Sequence, residues 1–404
     1  MSQNKQYLSA EEVIEQLAIN KATLYSYVSR GLIRSEETQG KTRKRRYSAE
    51  DVEALLKRKE NRRNPERAAE SALQWGDPVL ESAITLIENN ELYYRGVNAW
   101  QLAEQHSFEE VAALLWDVGL DAASLFTESR LRLPEWSSVE PAVEFRLRML
   151  DRFQMVLPLA AAVDLAAFNL EPSAVAKCGA RILRLLATLA SEGQGAIMIA
   201  KQLQLAWSPQ NDDVLPLLNS ALILCADHEL NASSFTARCA ASAGSNPYAV
   251  VNAGLSALQG FRHGGHTERV EALFREAAAD PRHAVIDRIK RGEGVPGFGH
   301  QLYPLGDPRA RFLLQQIESM QPLSPALHTA QAIIEAVEQA IHLKPNIDFV
   351  LVTLAQTYGL PSGSSLTLFA LGRIAGWIGH AIEQYGNGRL IRPRARYVGK
   401  EIQT

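Results

Sequence analysis

The chain has 404 residues, 46% hydrophobic and 22% charged, which is length for two or three domains and material for a large soluble core. Its net charge of −3 conceals an asymmetry: residues 1–67 hold 15 Lys+Arg against 10 Asp+Glu, leaving 27 against 35 for the remainder. Cys178, Cys225 and Cys239 lack Cys-x-x-Cys spacing, which argues against a disulfide framework or a zinc site; with no apolar run of signal-peptide length near Lys5, a reducing cytoplasm is the expected compartment.

Residues 7–18 read as a short helix, with Ser9 as N-cap, Glu11 and Glu12 in the first turn, and Val13, Ile14 and Leu17 as its apolar stripe. Asn20 then caps a second helix over 21–30, with Leu24 and Val28 on its buried side and Gly31 at the left-handed position after its end. Two short helices with a tight joint make a helix-turn-helix whose second member turns Lys21, Thr23, Tyr25, Ser26, Ser29 and Arg30 outward, a donor-rich face suited to a major groove. Leu32-Ile33-Arg34 and Arg45-Arg46-Tyr47 are expected as the two strands of a small wing turning at Gly40, with the basic run 41–46, Arg43 and Arg45 among it, placed to meet phosphates. Ser48 caps a third helix over 49–63, and Asn64-Pro65 opens a linker reaching residue 79. Residues 7–58 resemble the winged-helix domain of the MerR type. The resemblance implies DNA binding through residues 1–63; the alternative is a helical protein-interaction module that binds no DNA.

Beyond the linker, in a domain over 80–404, apolar spacings of three and four dominate 81–90, 97–106, 108–118, 140–150, 174–192, 216–227 and 247–259, so a mainly α fold is expected. The apolar stretch 366–384 is long enough to raise the question of a membrane span. It carries Arg373, Trp377 and His380 on one face and Gly372, Gly376 and Gly379 where neighbouring helices could come close, and is read as a buried helix with no membrane partner.

The chemistry-bearing residues fall in separate stretches. Gly260-Phe261-Arg262-His263-Gly264-Gly265-His266-Thr267-Glu268 sets an imidazole before two residues without side chains, where a ligand could meet bare backbone. Asp227-His228-Glu229 lies upstream; Gly297-Phe298-Gly299-His300, Asp307-Pro308-Arg309 and Pro345-Asn346-Ile347-Asp348-Phe349 lie downstream. Singly each has a plainer reading, as a turn, a cap or a core histidine. In this order and spacing they resemble the citrate synthase family.

That resemblance implies a helical dimer with a large domain and a smaller one, about 260–355, that closes over its substrates. It implies condensation of acetyl-CoA, as co-substrate, with oxaloacetate and water, using no tightly bound cofactor and no metal. Carried over residue by residue, Asp348 is the base, His263 stabilises the enolate and His300 polarises the ketone. His228, Arg309, Arg373 and Arg392 bind the oxo-acid carboxylates, Arg392 reaching into the partner's site of a homodimer or higher oligomer. Gly297, Phe298, Gly299 and Asn346 are expected at the CoA moiety. The chain departs from the family's His-Gly-Gly-Ala-Asn-Glu at His266 and Thr267, His266 being read as a bystander. Gln301 and Cys225 stand where an arginine and a histidine are frequent. Two other functions stay open: 2-methylcitrate synthesis from propionyl-CoA, and a DNA-binding regulator that senses a metabolite on the same fold.

Overall fold

The computed structural model describes residues 7–37, 45–49, 51–52, 55–56, 80–127, 147–196 and 198–400. It falls into two units, Met1–Glu81 and Ser82–Thr404.

The first unit contains β1 (Tyr7–Leu8), α1 (Ala10–Leu17), α2 (Lys21–Ser29), β2 (Ser35–Glu37) and β3 (Arg45–Ser48), the strands forming an antiparallel sheet in the order β1-β3-β2. Ser9 is the N-cap of α1: its hydroxyl accepts the Glu12 N–H at 3.2 Å and the Glu12 carboxylate accepts the Ser9 N–H at 2.7 Å. The helix therefore starts later than its periodicity suggests, and Tyr7 and Leu8 before the cap pair with β3 instead. Asn20 caps α2 and Gly31 has φ +69°, both at the positions expected. Val13, Leu17, Leu24, Ile33, Tyr47 and Val52 form the small core. The first wing strand is displaced from 32–34 to Ser35–Glu37, because Ile33 turns into that core and the backbone pairs only beyond it, Ser35 opposite Tyr47. Ala49, Asp51, Val52, Leu55 and Leu56 are helical where the third helix was expected. Gly40, Arg43 and the linker over 64–79 lie outside the described residues.

The second unit opens on a three-stranded antiparallel meander, β4 (Thr85–Glu88), β5 (Glu91–Tyr94) and β6 (Val97–Asn98). This corrects the helix expected over 81–90: Asn89 and Asn90 both adopt positive φ (52° and 60°), the geometry of a two-residue hairpin turn. Helices follow: α3 (Ala99–Gln105), α4 (Phe108–Trp116), α5 (Ala122–Phe126), α6 (Met149–Val163), α7 (Pro172–Ala190), α8 (Ile199–Trp207), α9 (Val214–Leu224), α10 (Ala232–Ser242), α11 (Pro247–Leu258), α12 (His266–Ala277), α13 (Pro281–Lys290), α14 (Pro308–Met320), α15 (Pro325–Ile341), α16 (Ile347–Tyr358) and α17 (Ser364–Asn387). A 3₁₀ turn, Leu165–Phe168, follows α6. The expected segment 140–150 lies mostly outside the described residues.

Helix α17 is the spine of this unit. It is long and apolar enough to cross a membrane, yet its apolar stretch is buried among other helices, with Trp377 and Arg373 almost fully enclosed. The glycines make that enclosure possible. A Cβ on Gly376 would lie 2.4 Å from the Ala226 carbonyl oxygen and one on Gly372 would lie 2.5 Å from that of Leu222, so the end of α9 and the turn after it rest on bare helix backbone. The Gly376 N–H donates to the Ala226 carbonyl at 3.0 Å, fixing the chain one residue before Asp227 and His228.

Candidate active site

His228 stands in the turn that leaves α9. Asp227 beside it is fully enclosed: the Thr85 hydroxyl donates to its carboxylate at 2.6 Å, and His380 of α17 lies 3.2 Å from the other oxygen. With its backbone so anchored, the His228 ring meets Tyr303 at 2.9 Å, Nε2 to hydroxyl. The His300 ring packs against both, with centroids 5.1 Å from His228 and 4.8 Å from Tyr303.

His263 lies in the turn joining α11 to α12. A Cβ on Gly264 would lie 2.6 Å from Leu258 Cδ1, and one on Gly265 the same distance from the Gln259 carbonyl oxygen. The two glycines thus let the turn fold back on α11; they do not leave a bare surface for a ligand. His263 Nε2 meets the Ser233 hydroxyl at 2.7 Å, and Ser233 opens α10 under an Asn231 cap.

His300 and Asp348 are set by one short antiparallel pairing of 297–299 with 344–346. The Gly299 N–H donates to the Lys344 carbonyl at 2.8 Å, the Asn346 N–H to the Gly297 carbonyl at 2.9 Å, and the Asn346 amide to the Gly299 carbonyl at 3.2 Å. Asn346 Oδ1 caps α16 by accepting from the Asp348 N–H at 3.1 Å. Gly297 has φ +85°, and a Cβ there would lie 2.8 Å from Phe349 Cβ, while Phe298 packs on the Phe349 ring at 4.8 Å. Gly299 and Asn346 therefore spend their N–H groups, and Asn346 its side chain, on holding two loops together.

Arg309, at the start of α14, is clamped by Asp307 through two hydrogen bonds of 3.0 and 2.8 Å. Asp307 also accepts the Ile347 N–H at 3.0 Å, tying α14 to α16. Arg373 donates from Nε to the Cys225 carbonyl at 2.8 Å, with its guanidinium 4.8 Å over the Phe369 ring; Nη2 is buried with no hydrogen-bond partner among the described residues. An enclosed donor without an acceptor is costly and marks where an anion fits. Arg392 is exposed in the extended stretch after α17, apart from the hydrogen bonds given above among the described residues.

Burial governs the charge states. It pushes His263 down to about 3, with Arg373 adding to the effect. It takes His300 to about 4, where Arg309 assists and Asp307 opposes. His228 falls well below the ordinary value through burial, then Arg309 and His300. All three rings are neutral near pH 7. Asp348 is half-buried, but its Oδ1 is sealed from solvent with no hydrogen-bond partner; burial raises its carboxyl to about 7 against the pull of Arg309 and Arg373, with Asp307 pushing further. A carboxyl poised near neutrality and acted on by two guanidiniums, in a unit that also holds three neutral imidazoles, is equipped to take a proton from carbon, meet developing oxyanions and hold a dianion. Among the described residues no cluster of His, Cys, Asp or Glu could hold a metal ion.

The sequence reading missed Tyr303 and Ser233, the partners of His228 and His263. It also took His266 for a bystander, yet His266 Nε2 accepts the Gly297 N–H at 3.3 Å. Of the residues expected at DNA, Lys21, Tyr25 and Arg30 are exposed on or beside α2, Arg45 is exposed on β3, and Thr23 commits its hydroxyl to Asn20 at 2.9 Å; Arg43 is outside the described residues.

The family model described as citrate synthase, C-terminal domain, matches residues 73–394, and that of a helix-turn-helix domain matches residues 7–60. Citrate synthase 2 of Bacillus subtilis is 30% identical over 357 residues, 81% of this chain and 95% of that protein. A 2-methylcitrate synthase of Corynebacterium glutamicum is 28% identical over 350 residues, 78% of this chain and 90% of that protein. The crystal structure of citrate synthase from Thermotoga maritima superposes with a TM-score of 0.69 at 26% identity, covering 81% of this chain and 96% of that one. With a match this long and the histidines, arginines and aspartate gathered as described, the chain belongs to the citrate synthase family of acyltransferases and carries a helix-turn-helix domain ahead of it.

Proposed function

We propose that this chain condenses acetyl-CoA with oxaloacetate and water to give citrate and CoA. The observation that carries the reading is the Asp348 carboxyl, sealed at Oδ1, raised to about 7 and set among Arg309 and Arg373. Asp348 takes a proton from the carbon beside the thioester carbonyl. With His263 Nε2 engaged by Ser233, Nδ1 is the edge that donates to the enolate oxygen. His300 accepts the Leu302 N–H on Nδ1 at 3.2 Å, so its neutral ring carries the proton on Nε2 and can donate to the ketone oxygen. The enolate carbon bonds to that ketone carbon, His228, Arg309 and Arg373 hold the carboxylates, and water then cleaves the thioester to release CoA. Closure of residues 260–355 over the substrates would keep water out until the carbon–carbon bond has formed.

Thiol release from acetyl-CoA and from propionyl-CoA, each with oxaloacetate, tests the proposal. Turnover with at least one is expected, falling about 10²–10⁴-fold in D348N. No turnover with either, or an unimpaired D348N, ends it. The 2-methylcitrate reading differs by one methylene, worth about 1–3 kcal/mol in a pocket, and the same assay ranks the two. The reading is completed by a cytoplasmic homodimer, a setting that the free thiols of Cys178, Cys225 and Cys239 suit.

A second reading, compatible with the first, is a DNA-binding regulator. It is favoured by the exposed Lys21, Tyr25 and Arg30 and by a net surplus of basic residues in 1–67. Affinity for duplex DNA should then drop about 10³–10⁵-fold between about 50 and 200 mM salt if some eight phosphates are contacted. Undetectable or salt-independent binding in a titration counts against it.

A further inference from the structure

The turn that carries His263 and the segment that carries His300 come from distant parts of the chain, and one side chain crosses between them. His266 opens α12, with its N–H on the His263 carbonyl at 3.0 Å. One edge of its ring is hydrogen-bonded to the Phe261 backbone, in the His263 turn. The other edge, Nε2, accepts the Gly297 N–H at 3.3 Å. Gly297 in turn accepts from the Asn346 N–H at 2.9 Å, and Asn346 caps Asp348 at 3.1 Å. The neighbouring Thr267 spends its hydroxyl within the turn, on the Gly264 carbonyl at 3.1 Å.

We infer that His266 is a positioning residue: its ring ties the His263 turn to Gly297 and so holds the enolate-stabilising imidazole in register with Asp348. The inference rests on the reaction proposed above. Proton abstraction needs the base on carbon and the donor on oxygen at the same moment, and a misplacement of about 1 Å can cost about 10²-fold in rate. The groups that hold the oxo acid do not hang on this tie. Arg309 is fixed by Asp307, Arg373 by Cys225 and His228 by Tyr303. Loss of the tie should therefore lower kcat and leave KM for oxaloacetate nearly unchanged. Burial and the nearby Arg269 keep the ring neutral, so the lone pair that accepts from Gly297 is present.

The test compares the full-length chain with H266F, which fills the space without an acceptor, and H266Q, whose amide oxygen can accept. Steady-state thiol release and hydrogen exchange of the Gly297 amide are measured for each. For H266F, kcat should fall about tenfold or more with KM for oxaloacetate within about twofold, and Gly297 exchange should quicken about tenfold. H266Q should recover most of both. Should H266F fail to fold, H266A removes the same acceptor without adding bulk. Wild-type kcat in H266F, or unchanged Gly297 exchange, or an H266Q no better than H266F, overturns the inference. If the unmutated protein turns over neither acyl-CoA, the reaction fails as a reading, and Gly297 exchange alone decides whether the tie exists.

Discussion

At the scale of single residues, the groups of the site titrate in opposite senses. Folding lowers the proton affinity of His228, His263 and His300, so below about 6.5 the unfolded chain takes up protons first and the folded state loses stability. The loss continues down to about 4 for His300 and about 3 for His263. Each such ring contributes a slope of about 1.4 kcal/mol per pH unit across its window. Asp348 works the other way. Its carboxyl is raised from 3.8 to about 7, so the stability it contributes is fully present below 3.8 and is lost as pH rises through about 7. Replacing it with a neutral isostere removes a buried charge at high pH and removes the term that offsets the histidines at low pH. D348N, whatever its residual activity, should melt higher than the unmutated protein at pH 8 and lose stability more steeply between pH 6.5 and 4. Thermal melts across that range check this, and a D348N that melts lower at pH 8 would contradict the raised carboxyl.

At the scale of elements, what the sequence disclosed depended on whether the cause was local. Ser9, Asn20 and Gly31 act on backbone within three or four residues, and their caps stand where their residue types place them. The glycines of α17 were legible too, because a small residue every three or four positions on an apolar helix has few other uses. The stretch 81–90 was not. Its apolar residues are too few to separate a period of two from one of 3.6, and the turn signal, Asn89-Asn90, sat inside the presumed helix. The first wing strand slipped because Ile33 answers to a core assembled from distant residues. The site divides the same way. His228, His263, His300 and Asp348 could be singled out because each sits in its own short pattern. Tyr303 is 75 residues from His228 and Ser233 is 30 from His263, so only the fold could pair them. The roles of Gly264, Gly265, Gly297 and Gly299 likewise became clear only from what a Cβ would strike or which N–H groups are already taken.

At the scale of the whole molecule, one residue of the expected set stands apart from the others among the described residues. Arg392 is exposed beyond α17, away from the hydrogen bonds that join the other residues of the site. The second unit also exposes Leu159, Val163, Leu165 and Phe168 at the end of α6 and the 3₁₀ turn after it, Leu165 being 81% and Phe168 65% accessible. These side chains are presented firmly. Asp164, buried between them in sequence, binds Arg181 at 2.7 Å and accepts the Tyr248 hydroxyl at 2.9 Å. A rigidly displayed apolar surface suits a second copy of the chain better than water. If the copy supplies Arg392, each site is built from two chains, and two inactive variants should repair one another. On that reading D348N lacks the proposed base and R392A lacks the guanidinium that would be lent to the partner. Refolded together in equal amounts they form mixed dimers, in about half of all pairs, each with one complete site, so about a quarter of the unmutated activity should return. Thiol release from the co-refolded mixture, compared with each variant refolded alone, decides the matter. If the mixture gives no more than its two components separately, Arg392 serves its own chain or none. Where repair is seen, L165D/F168D discriminates further: if the apolar patch is the contact, this variant sediments as a monomer and the repair disappears with it.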